Sequence, residues 1–166
     1  GIFDMIALLG RMLDCVERAD GLIANLQANI IAARAEAATY TIRPKVYFEE
    51  WHTPLYSGIR WVSELIEIAG GVDVFEAISK ATRAKDRTVT PEQVIAAAPD
   101  LILGSWCGQK FETEVVKARA DWQTIPAVQH NQVHEIASED LLVPGITAIM
   151  RGLPLIQSYI RSFQSL

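Results

Sequence analysis

The feature that most constrains this fold is a stripe of apolar residues that repeats at steps of three and four along the first part of the chain. Its members are Ile2, Met5, Ile6, Leu9, Met12, Leu13, Val16, Ala19, Ile23, Leu26 and Ile30. Steps of three and four place side chains on one face of an α-helix. A single helix from Ile2 to Ala38 would be on the order of 55 Å long, longer than a domain built from the remaining residues. The stripe therefore predicts one long helix whose apolar face the rest of the chain covers only in part.

Short apolar segments alternate with helical patterns after Pro44, which ends the long helix because the residue before a proline is pushed out of the α region. Strands are predicted at 46–48, 101–103, 127–129 and 133–136. Helices are predicted at 59–69, from 90, at 112–119 and from 146, the last with a kink or break at Pro154. The charged segment from Phe75 to Thr88 lacks periodicity and is predicted to be a loop. Strands separated by helices predict an α/β fold, a three-layer lobe with a mainly parallel sheet covered by helices on both faces.

Composition narrows the classes of function. The formal net charge is -5 and half of the residues are hydrophobic (50%), which is typical of a globular domain. Lys and Arg form no dense cluster, so no nucleic-acid partner is predicted. No stretch of about twenty apolar residues predicts a membrane span, and Asp4, Arg11 and Asp14 interrupt the segment that would be uncharged in a signal peptide. Cys15 and Cys107 allow one disulfide at most, and the sequence leaves open whether they meet.

Aromatic and polar side chains follow two predicted strands. The first strand is followed by Glu49, Glu50, Trp51, His52 and Tyr56, and the second by Trp106. In open α/β sheets, ligands bind at the carboxyl ends of the strands. Indole rings offer a stacking face and one N–H donor, which suits a flat and partly apolar ligand.

Three groups of residues, taken in order, resemble a known family. They are Glu50, Trp51, Pro54, Gly58, Trp61, Leu65 and Ala69 to Gly71; then Thr90 to Val94 and Ala98 to Ile102; and finally Asp121, Trp122, Ile125 to Val128, Val133 to Ile136, Pro144 and Gly145. In this order they resemble the helical-backbone (class III) substrate-binding proteins of ABC importers for cobalamin, ferric siderophores and haem.

The resemblance implies an architecture and a location. Residues 1–42 would be the long helix that joins two lobes, and residues 43–166 would be the C-terminal ligand-binding lobe. The N-terminal lobe would lie outside this chain, which would then be a fragment of a longer exported protein. That protein would be periplasmic, or anchored at the extracytoplasmic face of the membrane.

The resemblance also implies roles for individual residues. Contacts with the ligand fall on Glu50, Trp51, His52, Tyr56 and Trp106, and contact with the permease falls on Glu92. His52 would approach a metal centre or donate a hydrogen bond to the ligand. Glu92 also has a local interpretation, since Thr90 and Gln93 form a capping box and a carboxylate at that place complements the helix dipole. Many members of the family carry an acidic residue where this chain has Thr53 and an arginine where it has Thr147. These two differences leave open whether the ligand is a corrinoid, haem or a ferric siderophore.

The same residues also bear on two alternative functions, an enzyme and a sensor or scaffold. An enzyme would use Glu49, Glu50 and His52 as acid and base groups, but neighbouring residues of a continuous strand point to opposite faces. No nucleophile elbow, phosphate loop or zinc-ligand spacing is present, and the residues between His130 and His134 read as a turn that disfavours a metal pair. A sensor or scaffold that reuses the lobe remains an alternative. We predict a binding module without catalytic residues, bound metal or cofactor.

The apolar stripe also leads to a prediction about assembly. Leu9, Met12, Leu13 and Val16 are expected to form an exposed patch of the kind that monomers avoid. A second copy of the chain would cover this patch, so we expect a two-fold homodimer formed through the helix.

Overall fold

A computed structural model describes residues 1–165 of the chain. Its α-helices are α1 (Ile2–Met12), α2 (Val16–Ala37), α3 (Arg60–Ile68), α4 (Glu76–Ser79), α5 (Pro91–Ala97), α6 (Thr113–Lys117), α7 (Pro126–Gln129), α8 (Ser138–Leu141) and α9 (Leu153–Ser162). Its strands are β1 (Lys45–His52), β2 (Leu55–Ser57), β3 (Val72–Asp73), β4 (Leu101–Gly104) and β5 (Val133–Glu135). Short 3-10 segments lie at Ala84–Arg87, Trp122–Thr124 and Phe163–Ser165, and a π-helical turn lies at Ala148–Gly152.

The sheet is mainly parallel, as predicted. Its order is β2-β1-β4-β5, with β3 pairing alongside the start of β1. The pairs of β1 with β3 and β4, and of β4 with β5, are parallel, whereas β2 returns antiparallel on β1. The central strands are buried on both faces: Val46 and Phe48 face a cluster that includes residues of α3 and α9, and Tyr47 faces a cluster with α5 and α6. Burial on both faces is what an α/β sheet covered by helices requires, so the predicted fold class is confirmed.

The single long helix predicted from Ile2 to Ala38 is wrong, because the chain forms two helices that pack on each other. Asp14 adopts a left-handed conformation (φ 52) between α1 and α2 and turns the chain. Gly10 permits the close crossing, since a Cβ there would lie 2.4 Å from the Cβ of Ala19. The apolar period continues through both helices, so the pattern alone does not reveal the break.

Helix α2 is attached to the lobe by both apolar and polar contacts. Leu26 is buried against Ile149 of the π-helical turn. At the far end of α2, the carboxylate of Glu36 accepts hydrogen bonds from Tyr40 Oη at 2.7 Å, Arg161 Nε at 2.7 Å and Gln157 Nε2 at 3.2 Å. These bonds join α2 to α9, the helix that covers one face of the sheet.

Three local predictions differ from the structure. The segment 127–129, predicted as a strand, is helix α7, because Pro126 stands at the first helical position and favours a helix start. The segment from Phe75 to Thr88, predicted as a loop, contains α4 and a 3-10 segment. Strands β2 and β3 are too short to show a period and were not predicted. Near Pro154, where a kink or break was predicted, the chain stays helical and changes type, from the π-helical turn to α9, whose first turn holds the proline.

Among residues 1–165, no helix combines the length and apolarity needed to cross a membrane. Cys15 and Cys107 are both free thiols.

Candidate functional site

A β-bulge at the carboxyl end of β1 determines how the candidate site is built. Glu49 pairs with Ser57 and Trp51 pairs with Tyr56, so Glu50 is an extra residue without a counterpart on β2. A bulge of this kind breaks the alternation of side chains and bends the strand. Consecutive side chains beyond it are therefore free to take orientations that a regular strand would forbid.

Trp51, His52 and Trp106 form a cluster of three rings, which we call the aromatic cluster. The Trp51 and His52 rings are stacked with centroids 4.9 Å apart, and the His52 and Trp106 rings are tilted with centroids 4.5 Å apart. Trp51 and His52 are half-buried, whereas Trp106 is buried. His52 Nδ1 lies 2.9 Å from Thr53 Oγ1, so Nε2 is the ring nitrogen available to a ligand.

The buried carboxylate of Glu49 lies directly beneath this cluster. Its Oε1 accepts from Trp106 Nε1 at 2.9 Å and from Arg119 Nη2 at 2.8 Å. Its Oε2 accepts from Arg119 Nη1 at 2.6 Å and from Tyr47 Oη at 3.3 Å. Burial raises the pKa of Tyr47 well above its ordinary value, which keeps its hydroxyl a neutral donor. The Arg119 guanidinium also lies 4.5 Å from the ring centroid of Trp122.

Glu50, one residue further, is held by a different arginine. Arg87 donates to its two carboxylate oxygens at 2.6 and 3.0 Å and to the Ser57 carbonyl at 2.6 Å. Arg87 is only 2% exposed. The bidentate pair closes the end of the β1–β2 hairpin onto the 3-10 segment Ala84–Arg87. Glu49 and Glu50 thus have separate partners, Arg119 and Arg87, although the bulge interrupts the alternation that a continuous strand would impose.

The remaining predicted site residues lie at different distances from the cluster. Tyr56 stands opposite Trp51 in the register and is half-buried. Glu92 lies outside the cluster, exposed in the first turn of α5, where Thr90 Oγ1 accepts from the Gln93 amide and caps the helix. A hydrogen bond with Thr90 lowers the pKa of Glu92. Trp61 packs against the core and donates to the Leu141 carbonyl at 3.0 Å.

A cavity among helices α1, α2 and α3 lies apart from the aromatic cluster. It has a volume of about 640 Å³ and is lined mainly by apolar side chains of α1, α2 and α3. Arg60 and Glu64, joined by an exposed ion pair at 2.8 Å, stand at its polar side. No member of the aromatic cluster lines it.

Sequence reasoning did not identify Arg87 and Arg119 as parts of the site. Arg87 lies in the charged segment from Phe75 to Thr88, which was predicted as a loop, and Arg119 stands after the short helix α6. The available signal was the pair of adjacent carboxylates at a strand end, since buried carboxylates require cationic partners. Partner identity, however, depends on contacts between residues 37 and 70 positions apart.

His134 is engaged with neighbouring side chains of the protein, since Nε2 lies 3.1 Å from Gln132 Oε1. The ring of His134 stacks on Tyr159 with centroids 4.4 Å apart, and burial lowers its pKa. Within residues 1–165 no group of three or more His, Cys, Asp or Glu side chains is placed to hold a metal ion.

Comparisons with known proteins point in one direction. A family profile described as periplasmic binding protein matches residues 1–139. A search of curated proteins found no match.

Solved structures share the fold. A possible iron-binding (periplasmic solute-binding) protein from Staphylococcus epidermidis ATCC 12228 superposes with a TM-score of 0.78 at 17% identity, covering 96% of this chain and 61% of that one. The periplasmic heme-binding protein RhuT from Roseiflexus sp. RS-1 gives 0.74 at 22% identity, with 95% and 62% coverage. IsdE of S. aureus in complex with heme gives 0.76 at 19% identity, with 96% and 64% coverage. The chain thus spans less than two thirds of the length of these proteins.

Proposed function

This chain belongs to the periplasmic binding protein family, and from that membership we propose that it supplies a ligand-binding lobe of the substrate-binding component of an ABC importer. In this proposal residues 1–42 carry the connection to a second lobe and residues 43–166 form the C-terminal lobe. The complete protein would act outside the cytoplasm, either free or lipid-anchored, and would deliver its ligand to a permease.

The observation that carries this proposal is the aromatic cluster at the carboxyl ends of β1 and β4. The imidazole of His52 contacts both indoles, and the half-buried rings of Trp51 and His52 offer a stacking surface with one available ring nitrogen. Such a surface suits a flat iron chelate, with His52 Nε2 close to the metal. Several proteins of the same fold are described as binding iron or heme, so we favour haem or a ferric siderophore over a corrinoid.

The pairing of Glu50 with Arg87 argues against the enzyme alternative. Both oxygens of the Glu50 carboxylate accept charge-assisted hydrogen bonds from the buried guanidinium of Arg87, which also donates to the Ser57 carbonyl. This carboxylate is therefore engaged in holding the β1–β2 hairpin rather than directed at a substrate. We propose instead that Glu50 supports the ligand loop, with Trp51, Tyr56 and Trp106 contributing aromatic surface.

Glu92 is proposed as the residue that contacts the permease. Its side chain is exposed at the start of α5, and the Thr90–Gln93 capping box fixes the helix start on which it stands. A rigid, exposed carboxylate is what recognition by an arginine fork requires. The role at the helix dipole is compatible with this one.

Titration of the protein with haem, a ferric hydroxamate and cobalamin, followed by absorbance and by quenching of tryptophan fluorescence, tests the proposal. We expect saturable binding of an iron chelate, and a changed absorbance spectrum of that complex in His52→Ala. His130→Ala, at an exposed histidine remote from the cluster in sequence, is the matched control and should behave as wild type. Absence of binding to every chelate by the protein with both lobes would refute the proposed function.

A further inference from the structure

A carboxylate with no solvent exposure and four donors around it stands at the centre of the candidate site. Glu49 is 0% exposed, and its two oxygens are shared among Arg119, Trp106 and Tyr47. An ion pair buried in a core is often no more stable than an apolar group of the same volume. Its presence at this place calls for a role beyond stability.

The contacts of Trp106 indicate what that role is. Its indole N–H donates to Glu49 Oε1 at 2.9 Å. Its ring contacts the His52 ring and lies edge-on to the Phe111 ring, with the centroids of Trp106 and Phe111 5.0 Å apart. Trp106 lies just beyond the end of β4, and the next four residues, 107–110, are all exposed. The Trp106 carbonyl accepts from Ser138 Oγ at 3.1 Å and from the Gln109 amide at 2.9 Å, which anchors the backbone. The hydrogen bond from the indole N–H to the Glu49 carboxylate then restrains the rotation of the ring.

Arg119 extends the same restraint to another part of the fold. Its guanidinium donates to both oxygens of Glu49 and lies over the ring of Trp122. Trp122 is fully buried and lies in the segment that joins α6 to α7. The carboxylate is thereby fixed from both sides, by β1, which carries it, and by the segment after α6. Because the Trp106 ring is hydrogen-bonded to this fixed carboxylate, the orientation of the ring is restrained as well.

We propose that Glu49 is a positioning residue for the aromatic cluster: it orients Trp106 and, through the ring contacts, His52 and Trp51, without touching the ligand itself. The inference rests on the proposed function where it concerns affinity. The orientation of the rings, however, is measurable without any ligand.

Nuclear magnetic resonance of the indole and imidazole groups tests the orientation directly. The chain has four tryptophans, so an ¹⁵N correlation spectrum shows four indole signals, and Trp106→Phe identifies the relevant one. Glu49→Gln keeps the shape and one acceptor oxygen but removes the charge. We expect it to shift the Trp106 indole signal and also the ring protons of His52, which Glu49 does not contact.

The matched control is Glu36→Gln. Glu36 is also a carboxylate that accepts from an arginine, a tyrosine and a third side chain, but it lies at the junction of α2 and α9. It should lower stability without moving the Trp106 or His52 signals. Arg119→Lys, which keeps the charge and loses the bidentate grip, is the second variant if Glu49→Gln does not fold, and it should shift the same signals.

Binding supplies the second readout. With the protein that binds an iron chelate, we expect Glu49→Gln to weaken affinity by roughly 10-fold or more, as loss of an outer-shell support does at metal sites, and Glu36→Gln to change it less than about twofold. Unmoved His52 signals in both Glu49→Gln and Arg119→Lys would overturn the inference, as would chelate affinity and spectrum identical to wild type. If the wild type bound no chelate, the proposed function would fall, while the ring signals would still decide whether Glu49 positions the cluster.

Discussion

Replacement of Gly104 by alanine tests whether the end of β4 is packed as tightly as the structure indicates. A Cβ at this position would lie 1.8 Å from Cε2 of Phe111 and 2.2 Å from two further atoms of the same ring. Carbon atoms in favourable contact stand about 3.5 to 4.0 Å apart, so the ring would have to move by about 2 Å. Phe111 is 1% exposed and lies edge-on to Trp106, which leaves it no free space. We expect Gly104→Ala to lower the free energy of unfolding by about 3 kcal/mol, the upper end of the usual cost of overpacking.

A double-mutant cycle identifies Phe111 as the cause. Phe111→Ala alone should cost about 3 to 5 kcal/mol because it leaves a cavity. The methyl group introduced by Gly104→Ala would then enter that cavity, so the double variant should cost less than the sum by about 1 to 3 kcal/mol. Urea denaturation followed by circular dichroism and tryptophan fluorescence gives the three values.

Gly21→Ala is the control for the glycine substitution itself. Gly21 lies within α2, and a Cβ there would meet no heavy atom within 4 Å. Alanine should stabilise this helix by up to about 1 kcal/mol. A loss of under about 0.5 kcal/mol in Gly104→Ala, or strict additivity with Phe111→Ala, would refute the packing argument.

Four further outcomes are expected. Trp51→Ala should weaken ligand binding by about 1 to 3 kcal/mol with little change in melting temperature. Trp106→Ala should weaken binding too, and because its ring is buried it should also lower the free energy of unfolding by about 3 to 5 kcal/mol. Normal affinity in Trp51→Ala would place that ring outside the site. Glu92→Arg should impair uptake in cells while calorimetry shows unchanged ligand affinity, and normal uptake would exclude it from docking. Burial raises the pKa of Asp73 above its unfolded value, so this carboxyl stabilises the fold at acid pH and loses that contribution as pH rises through the folded pKa. Asp73→Asn should therefore be more stable than wild type at pH 7 by about 1 kcal/mol, because Oδ2 of Asp73 is buried without a partner. The gain in stability should be smaller at pH 3. A variant less stable than wild type at pH 7 would contradict this. The chain should self-associate as a dimer in light scattering coupled to size exclusion, because Met12 is 72% and its neighbour Leu13 70% exposed; Met12→Lys should favour the monomer, and a wild-type monomer at high concentration would refute the prediction.

The sequence was sufficient for the elements whose signals are local. β1 and β4 each contain a short apolar run, α3 carries a strong helical period, and α5 opens on the Thr90–Gln93 capping box. The order of these elements indicated a parallel sheet, because strands that alternate with helices must be joined by crossovers. It also indicated which loops lie at the carboxyl ends of the strands, and hence predicted that Trp51 and Trp106 lie at that edge of the sheet.

What only the tertiary structure decided depends on contacts between distant residues. The bulge at Glu50 arises from the register of β1 with β2, and it brings Trp51 and His52 onto one ring stack. The division of two adjacent carboxylates between Arg119 and Arg87 likewise depends on which segments pack beside β1. The break between α1 and α2 was not predicted, because apolar residues repeat every three to four positions whether the segment forms one helix or two. The apolar period and the composition of a segment reflect the local environment of its residues. The register of strands, the pairing of charges and the crossing of helices depend instead on which surfaces meet in the folded chain, so they are properties of the whole structure.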